Sequence, residues 1–155
     1  MVEIGAFNAQ NYTTIEKQLR YVASVIRETG RQNLSEVGIT PPQFVALQWI
    51  SEEKGITIGE LSSQLFLAFS TTTDLVDKLE EKNLVERRKD EKDKRLVRIY
   101  LLSKGEAIIH SVIRNRQQFL EETISDLPNE VMENFRQGLD SLYNQIKTKK
   151  KSETR

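Results

Sequence analysis

Cysteine is absent from the 155 residues, and histidine occurs once. The first absence excludes disulfides, thiolate metal sites and cysteine-based redox sensing. The second leaves no histidine-rich metal cluster within one subunit. No run approaches the roughly 18 apolar residues that a spanning helix needs, and the N-terminus lacks the basic-then-apolar order of a signal segment. The phosphate-binding glycine loop and the Gly-x-Ser-x-Gly elbow are missing too, and the one histidine, His110, has no evident acidic partner in the sequence. Net charge is also lacking, since 23 Lys and Arg balance 23 Asp and Glu. These absences predict a soluble, cytoplasmic protein with no membrane contact, no metal and no cofactor, and not an enzyme. Any nucleic-acid binding must rest on positive charge gathered on one surface.

What is present centres on Ile58 to Gly105. Within it, Leu84–Leu102 reads as two strand-like runs, from Leu84 or Val85 to Arg88 and from Arg95 to Leu102, flanking a turn that carries no apolar residue. Val97, Ile99 and Leu101 alternate with Arg98 and Tyr100, the period of a strand with one covered face. The turn Lys89–Lys94 is expected to project as a hairpin tip. Seven basic residues fall between Arg87 and Arg98, diluted by Asp90, Glu91 and Asp93. Two helices joined by a tight connection precede the hairpin. A helix pair followed by a basic-edged hairpin is the layout of a winged helix-turn-helix, which places its second helix in the major groove.

The rest of the chain reads in order. Residues 1–10 show no pattern and suggest a short arm. From Tyr12 a narrow apolar seam runs through Ile15, Leu19, Val22 and Ile26 to a stop at Gly30. A polar stretch covers Arg31–Gly38, and Thr40-Pro41-Pro42 then signals a new helix by its cap and first-turn proline. Phe44, Leu47, Gln48, Trp49 and Ile50 are its expected buried side, and Lys54-Gly55 closes it. Ile56 and Ile58 alternate with Thr57 and suggest a short third strand. The helix pair follows, from about Gly59 to Phe66 and from Ser70 to Lys82-Asn83. In the second helix Leu75, Val76 and Leu79 point inward and Thr71, Thr73, Asp74, Asp77 and Lys78 outward. Ser103 and Glu106 have capping-box spacing and open a long helix, which Leu127-Pro128 breaks. A last helix carries Val131, Phe135, Leu139, Leu142 and Ile146 along one face, and residues 148–155 form a charged, disordered basic tail.

The segments Leu61-Ser-Ser-Gln-Leu65 and Ser70-Thr-Thr-Thr-Asp-Leu-Val-Asp-Lys-Leu-Glu-Glu-Lys-Asn-Leu-Val-Glu-Arg87, followed by Asp93-Lys-Arg95, Leu101 and Gly105, resemble the MarR (multiple antibiotic resistance regulator) family of bacterial transcription factors. The resemblance covers nearly the whole chain, as six helices around one winged unit. It implies one mainly α-helical domain over residues 1–155 with a small β-hairpin wing. Residues 41–102 would form the DNA-binding region, and residues 11–30 and 103–147 the dimerisation helices. It further implies a homodimer on double-stranded DNA, the helix from Ser70 in the major groove and Arg95 in the minor groove, with Asp93 bracing the wing. The DNA-binding set is then Ser70, Thr71, Thr73, Asp74, Lys78, Arg87, Lys94 and Arg95. A small-molecule effector, often aromatic or anionic in the family, would bind between the dimer bundle and the winged unit and loosen DNA binding.

Four positions depart from the family pattern. Ala68 stands where a cap serine is usual, so Ser70 is expected to cap one turn later. Phe69 replaces a proline or small residue, and Asp74 a basic one. Leu102 replaces a threonine, leaving the cap to Ser103. The bland readings stay open beside these. By charge alone Lys94 and Arg95 make a solvated turn, and a winged domain also serves as a protein-contact module. The expectation is a repressor on a pseudo-palindromic operator.

Overall fold

The computed structural model describes residues 8–153. It forms two compact units, one ending at Gln118 and the other beginning at Phe119. The first contains α1 (Ala9–Thr29), α2 (Arg31–Glu36), α3 (Pro41–Glu52), β1 (Ile56–Thr57), α4 (Ile58–Leu65), α5 (Phe69–Glu81), β2 (Val85–Lys89), β3 (Val97–Leu101) and most of α6 (Ser103–Ile124). The end of α6 and α7 (Asn129–Glu153) make up the second. Among the described residues no helix is long and apolar enough to cross a membrane.

Helix α3 is the central element of the first unit. Its start is a full capping box: the Thr40 hydroxyl accepts from the Gln43 N–H at 3.4 Å, and the Gln43 side chain accepts from the Thr40 N–H at 3.1 Å. Phe44, Ala46, Leu47 and Ile50 are buried, and the helix packs against α4, α5 and β3. Thr57 ends β1 and caps α4 at the same residue, with its N–H donating to Glu60 at 2.8 Å. That double duty limits β1 to two residues. The sheet is antiparallel in the order β1-β3-β2, with Ile56 opposite Ile99 and Arg87 opposite Ile99 on the other side. Leu61, Val76, Leu79, Leu84, Val85, Ile109 and Val112 complete the core against this sheet.

Several expectations need correcting. Arg31–Gly38 is largely helical: α2 buries Leu34, a single apolar contact that six residues cannot display as a period. In α3, Gln43 and Ala46 are buried, whereas Gln48 and Trp49 are half-buried. Ile58 begins α4 and is not a strand residue, and β3 begins at Val97, not at Arg95. Helix α5 starts at Phe69 with Ala68 in the cap position, so Ser70 lies inside the first turn and caps nothing. Helix α6 starts at Ser103, with the Glu106 N–H donating to the Leu102 carbonyl, so the capping residue is Leu102. The basic tail is helical to Glu153, since lysine is a good helix former and cations at a C-terminus oppose the helix dipole. At the other end Asn8 caps α1 through a box with Asn11, and the remainder of the expected arm, residues 1–7, lies outside the described residues.

The end of α5, the root of the hairpin and the start of α6 meet at one residue. Asn83 turns the chain in the left-handed region at φ +58°, the conformation its side chain was expected to tolerate. The Leu84 N–H then donates to the Leu79 carbonyl at 3.0 Å, and the Leu84 carbonyl accepts from the Leu102 N–H at 2.9 Å. Gly105 sits directly on that carbonyl. A Cβ there would lie 2.4 Å from the Leu84 oxygen and 2.8 Å from Leu101 Cδ1. The oxygen is tied to Leu102 and has no room to retreat. Gly105→Ala is therefore expected to cost roughly 1–3 kcal/mol through overpacking. Urea denaturation should show this as a lower midpoint with an unchanged slope.

Candidate nucleic-acid interface

Two surfaces carry the sequence-predicted residues: the outer side of α5 and the tip of the hairpin. On α5, Ser70, Asp74 and Lys78 recur every four residues and are exposed, with Thr71 exposed beside them. Thr73 is half-buried, and its hydroxyl donates to the Phe69 carbonyl at 3.0 Å. Thr72 is buried, and its hydroxyl bonds back to the Ala68 carbonyl at 3.0 Å, which permits a polar residue on the inner face. No side chain caps this helix.

At the hairpin tip Arg95 makes a two-pronged contact with Asp93. Its Nε donates to Oδ1 at 3.0 Å and its Nη2 to Oδ2 at 3.1 Å, while its backbone N–H also reaches Oδ1 at 3.1 Å. The guanidinium plane is thus held by one carboxylate although the side chain is 90% exposed. These bonds from Arg95 keep the Asp93 carboxyl below its ordinary value. Lys94 is exposed next to it.

Sequence reasoning took Asp90 as diluting charge, and the structure gives it a different role. Its carboxylate accepts from the Lys92 N–H at 2.8 Å, from the Asp93 N–H at 2.9 Å and from the Arg98 guanidinium. Arg98 also donates to the Gly55 carbonyl at 2.8 Å, so one arginine joins the turn to the segment before β1. Gly55 is suited to that place: its φ is +78°, and a Cβ would come within 3.0 Å of the Tyr100 hydroxyl. The Arg98 contact, then the two backbone N–H groups, push the Asp90 carboxyl well below the usual range. Because the folded pKa is depressed, the turn gains stability that is fully present above the ordinary carboxylate pKa. That stability is lost only as pH falls through the folded value. The signal for Asp90 was available, since an aspartate two and three residues ahead of backbone donors is an Asx-turn pattern.

Arg87 is placed elsewhere. Its Nη2 donates to Asp77 at 2.5 Å and its Nη1 to Glu80 at 3.2 Å, while its backbone N–H donates to Glu80 at 3.0 Å. The side chain thereby clamps β2 to α5. Arg88 stacks over Tyr100, 4.8 Å from the ring centre, and also contacts Glu86.

A tight helix pair, α4 and α5, followed by the β2–β3 hairpin, with β1 ahead of the pair adding a third antiparallel strand, defines a winged helix-turn-helix protein. The MarR family profile matches residues 39–97, from the cap of α3 into β3. A Bacillus subtilis (strain 168) protein described as an uncharacterized HTH-type transcriptional regulator, YsmB, is 46% identical over 140 residues, 90% of this chain and 96% of its own length. The solved structure of a MarR family protein from Bacillus stearothermophilus matches with a TM-score of 0.82 at 45% identity, covering 92% of this chain and 99% of that one. The MepR–DNA complex of S. aureus shares the fold, with a TM-score of 0.65 at 21% identity over 84% of this chain and 98% of that one. The chain belongs to the MarR family of transcriptional regulators.

The Arg87 clamp has a measurable consequence. Arg87→Met keeps most of the apolar stem and removes both ion pairs. It is expected to lower stability by about 0.5–1 kcal/mol, because the two carboxylates are partly screened by solvent. DNA affinity should hardly change. Unchanged stability with lost affinity would return Arg87 to the contact set.

Proposed function

We propose that this protein is a homodimeric, sequence-specific DNA-binding regulator that represses transcription by occupying a short pseudo-palindrome. Helix α5 enters the major groove with Ser70, Thr71, Thr73, Asp74 and Lys78 at or near the bases and phosphates. The wing lays Arg95, with Lys94, along the adjacent minor groove. The observation that carries this reading is the forked Asp93–Arg95 pair, which holds an exposed guanidinium in one orientation at a tip with no core to stabilise. A planar cation suits the narrow, negative minor groove. The MepR complex shows that a protein of this fold binds DNA. Dimerisation is supported by α1 and α7, which expose Tyr12, Ile15, Leu19 and Val22, and Val131, Phe135, Leu139, Leu142 and Ile146. These stripes suit a second copy, which would set two α5 helices at a fixed spacing.

The experiment is a salt titration of binding to a selected operator and to generic duplex DNA, with the mass measured by light scattering. Wild type should have twice the mass of one subunit and an affinity that falls steeply with salt. Arg95→Ala is expected to weaken both complexes and reduce the salt slope by about one unit, with thermal stability unchanged. Arg95→Lys should restore the slope but not the affinity if the fork matters. Wild-type binding by Arg95→Ala would favour a protein-contact wing.

Release by a small anionic ligand is a second reading, favoured by Arg116 of α6. Its Nε is buried with no hydrogen-bond partner among the described residues, and the guanidinium lies 5.3 Å from the centre of the Phe44 ring. Burial, and then the Arg27 charge, lower its pKa; an unpaired Nε with a second cation nearby is a setting that an anion would complete. With benzoate as probe, DNA release at millimolar concentration is expected for wild type and absent in Arg116→Met.

A further inference from the structure

The connection between α4 and α5 presents apolar groups to water. Phe66 closes α4 in the left-handed region at φ 54°, where a bulky L-residue is uncommon, and is 85% exposed. Phe69 opens α5 and is 62% exposed, and Leu67 between them is also exposed. Phe69 directly precedes the exposed polar residues Ser70 and Thr71. Neither ring contributes to the core. The exposed Phe69 ring on a surface otherwise rich in charge suits an apolar partner.

The position of Phe69 narrows what that partner is. In helix-turn-helix docking the N-terminal residues of the second helix face base edges, and Phe69 is the first residue of α5. The uncapped first turn leaves backbone N–H groups pointing out of the helix end, where a phosphate completes them. A phenyl ring has no hydrogen bond to offer a base. The apolar feature of a major-groove edge is the C5-methyl group of thymine.

We infer that Phe69 is a specificity residue that reads a thymine C5-methyl in each half-site, an inference that rests on α5 being the groove-entering helix. Asp74 and the threonines then supply polar discrimination along the helix, while Phe69 adds preference at a position where hydrogen bonding cannot. Phe66 flanks the contact and does not make it.

The test uses the full-length protein and an operator obtained by selection from random duplex DNA, with each thymine replaced singly by deoxyuridine. That replacement removes one methyl group and leaves every hydrogen bond of the pair. At one thymine per half-site wild type should lose about fourfold in affinity, the worth of one buried methyl group. Phe69→Ala should bind more weakly and show no difference between thymine and uracil there, with an unchanged thermal midpoint because the ring is outside the core. Phe66→Ala should keep the fourfold difference. An equal uracil penalty in wild type and Phe69→Ala overturns the inference while leaving DNA binding intact, as does a penalty abolished by Phe66→Ala alone. Failure of wild type to bind any duplex would overturn both this inference and the proposed function.

Discussion

The two bonds made by Leu84 tie α5, the hairpin and α6 together. Its N–H closes the end of α5 and its carbonyl accepts from Leu102 at the start of α6, so the hairpin leaves and returns at one point. The side chain is buried among the residues of the core. Gly105 allows α6 to approach that carbonyl, and any larger residue would push the first turn of α6 away. Displacement here would tilt α5, the wing and α6 relative to one another, although none of the three would lose its own internal bonds. The relative placement of these three elements is therefore more sensitive to this junction than secondary structure is.

Charge in the molecule is sorted by partner more than by amount. With equal numbers of acidic and basic residues, net charge by itself offers no steering. Instead the acidic residues around the wing assign the arginines different tasks. Asp77 and Glu80 hold Arg87 against α5, and Asp90 holds Arg98 across the sheet. Asp93 holds Arg95 at the tip but leaves it exposed. A carboxylate beside a DNA-contacting arginine reduces the long-range attraction of the pair, and in exchange it fixes the plane of the fork before contact. On the proposed reading, the wing contributes geometry more than gross charge.

How much of this was legible depended on whether a pattern was local. Alternation at Val97–Leu101, the Thr40-Pro41 start and the Asn83 stop are set by neighbours in sequence, and each element lies where those residues indicated. The capping errors share one cause. Serine is the better cap on its own, so Ser70 and Ser103 were preferred over Ala68 and Leu102, but the Leu84–Leu102 bond and the α4–α5 connection decide where the helices begin. Helix α2 was missed because its stability comes from one buried leucine and the helices around it. Arg87 and Arg95 look alike in a charge count. The difference lies in Asp77 and Glu80, which reach Arg87 only after α5 and β2 have packed.

The exposed stripes bear on why α7 is a helix at all. It has no buried residue, and its apolar positions, among them Phe135 at 55% exposure, face water along its length. Pairs such as Arg136 with Glu133 and Asp140, and Lys147 over the Tyr143 ring, support the helix locally. Such pairs contribute only a few tenths of a kcal/mol each, roughly, and most helical stability in proteins comes from covering an apolar face. Helix α1 presents the same problem from the other end of the chain, with an apolar seam and no buried residue. The proposed symmetric partner would cover two such exposed stripes together, because whatever one copy exposes the other exposes too. In the proposed homodimer, folding of the terminal helices and association would be coupled, and the spacing of the two α5 helices would be a product of that coupling.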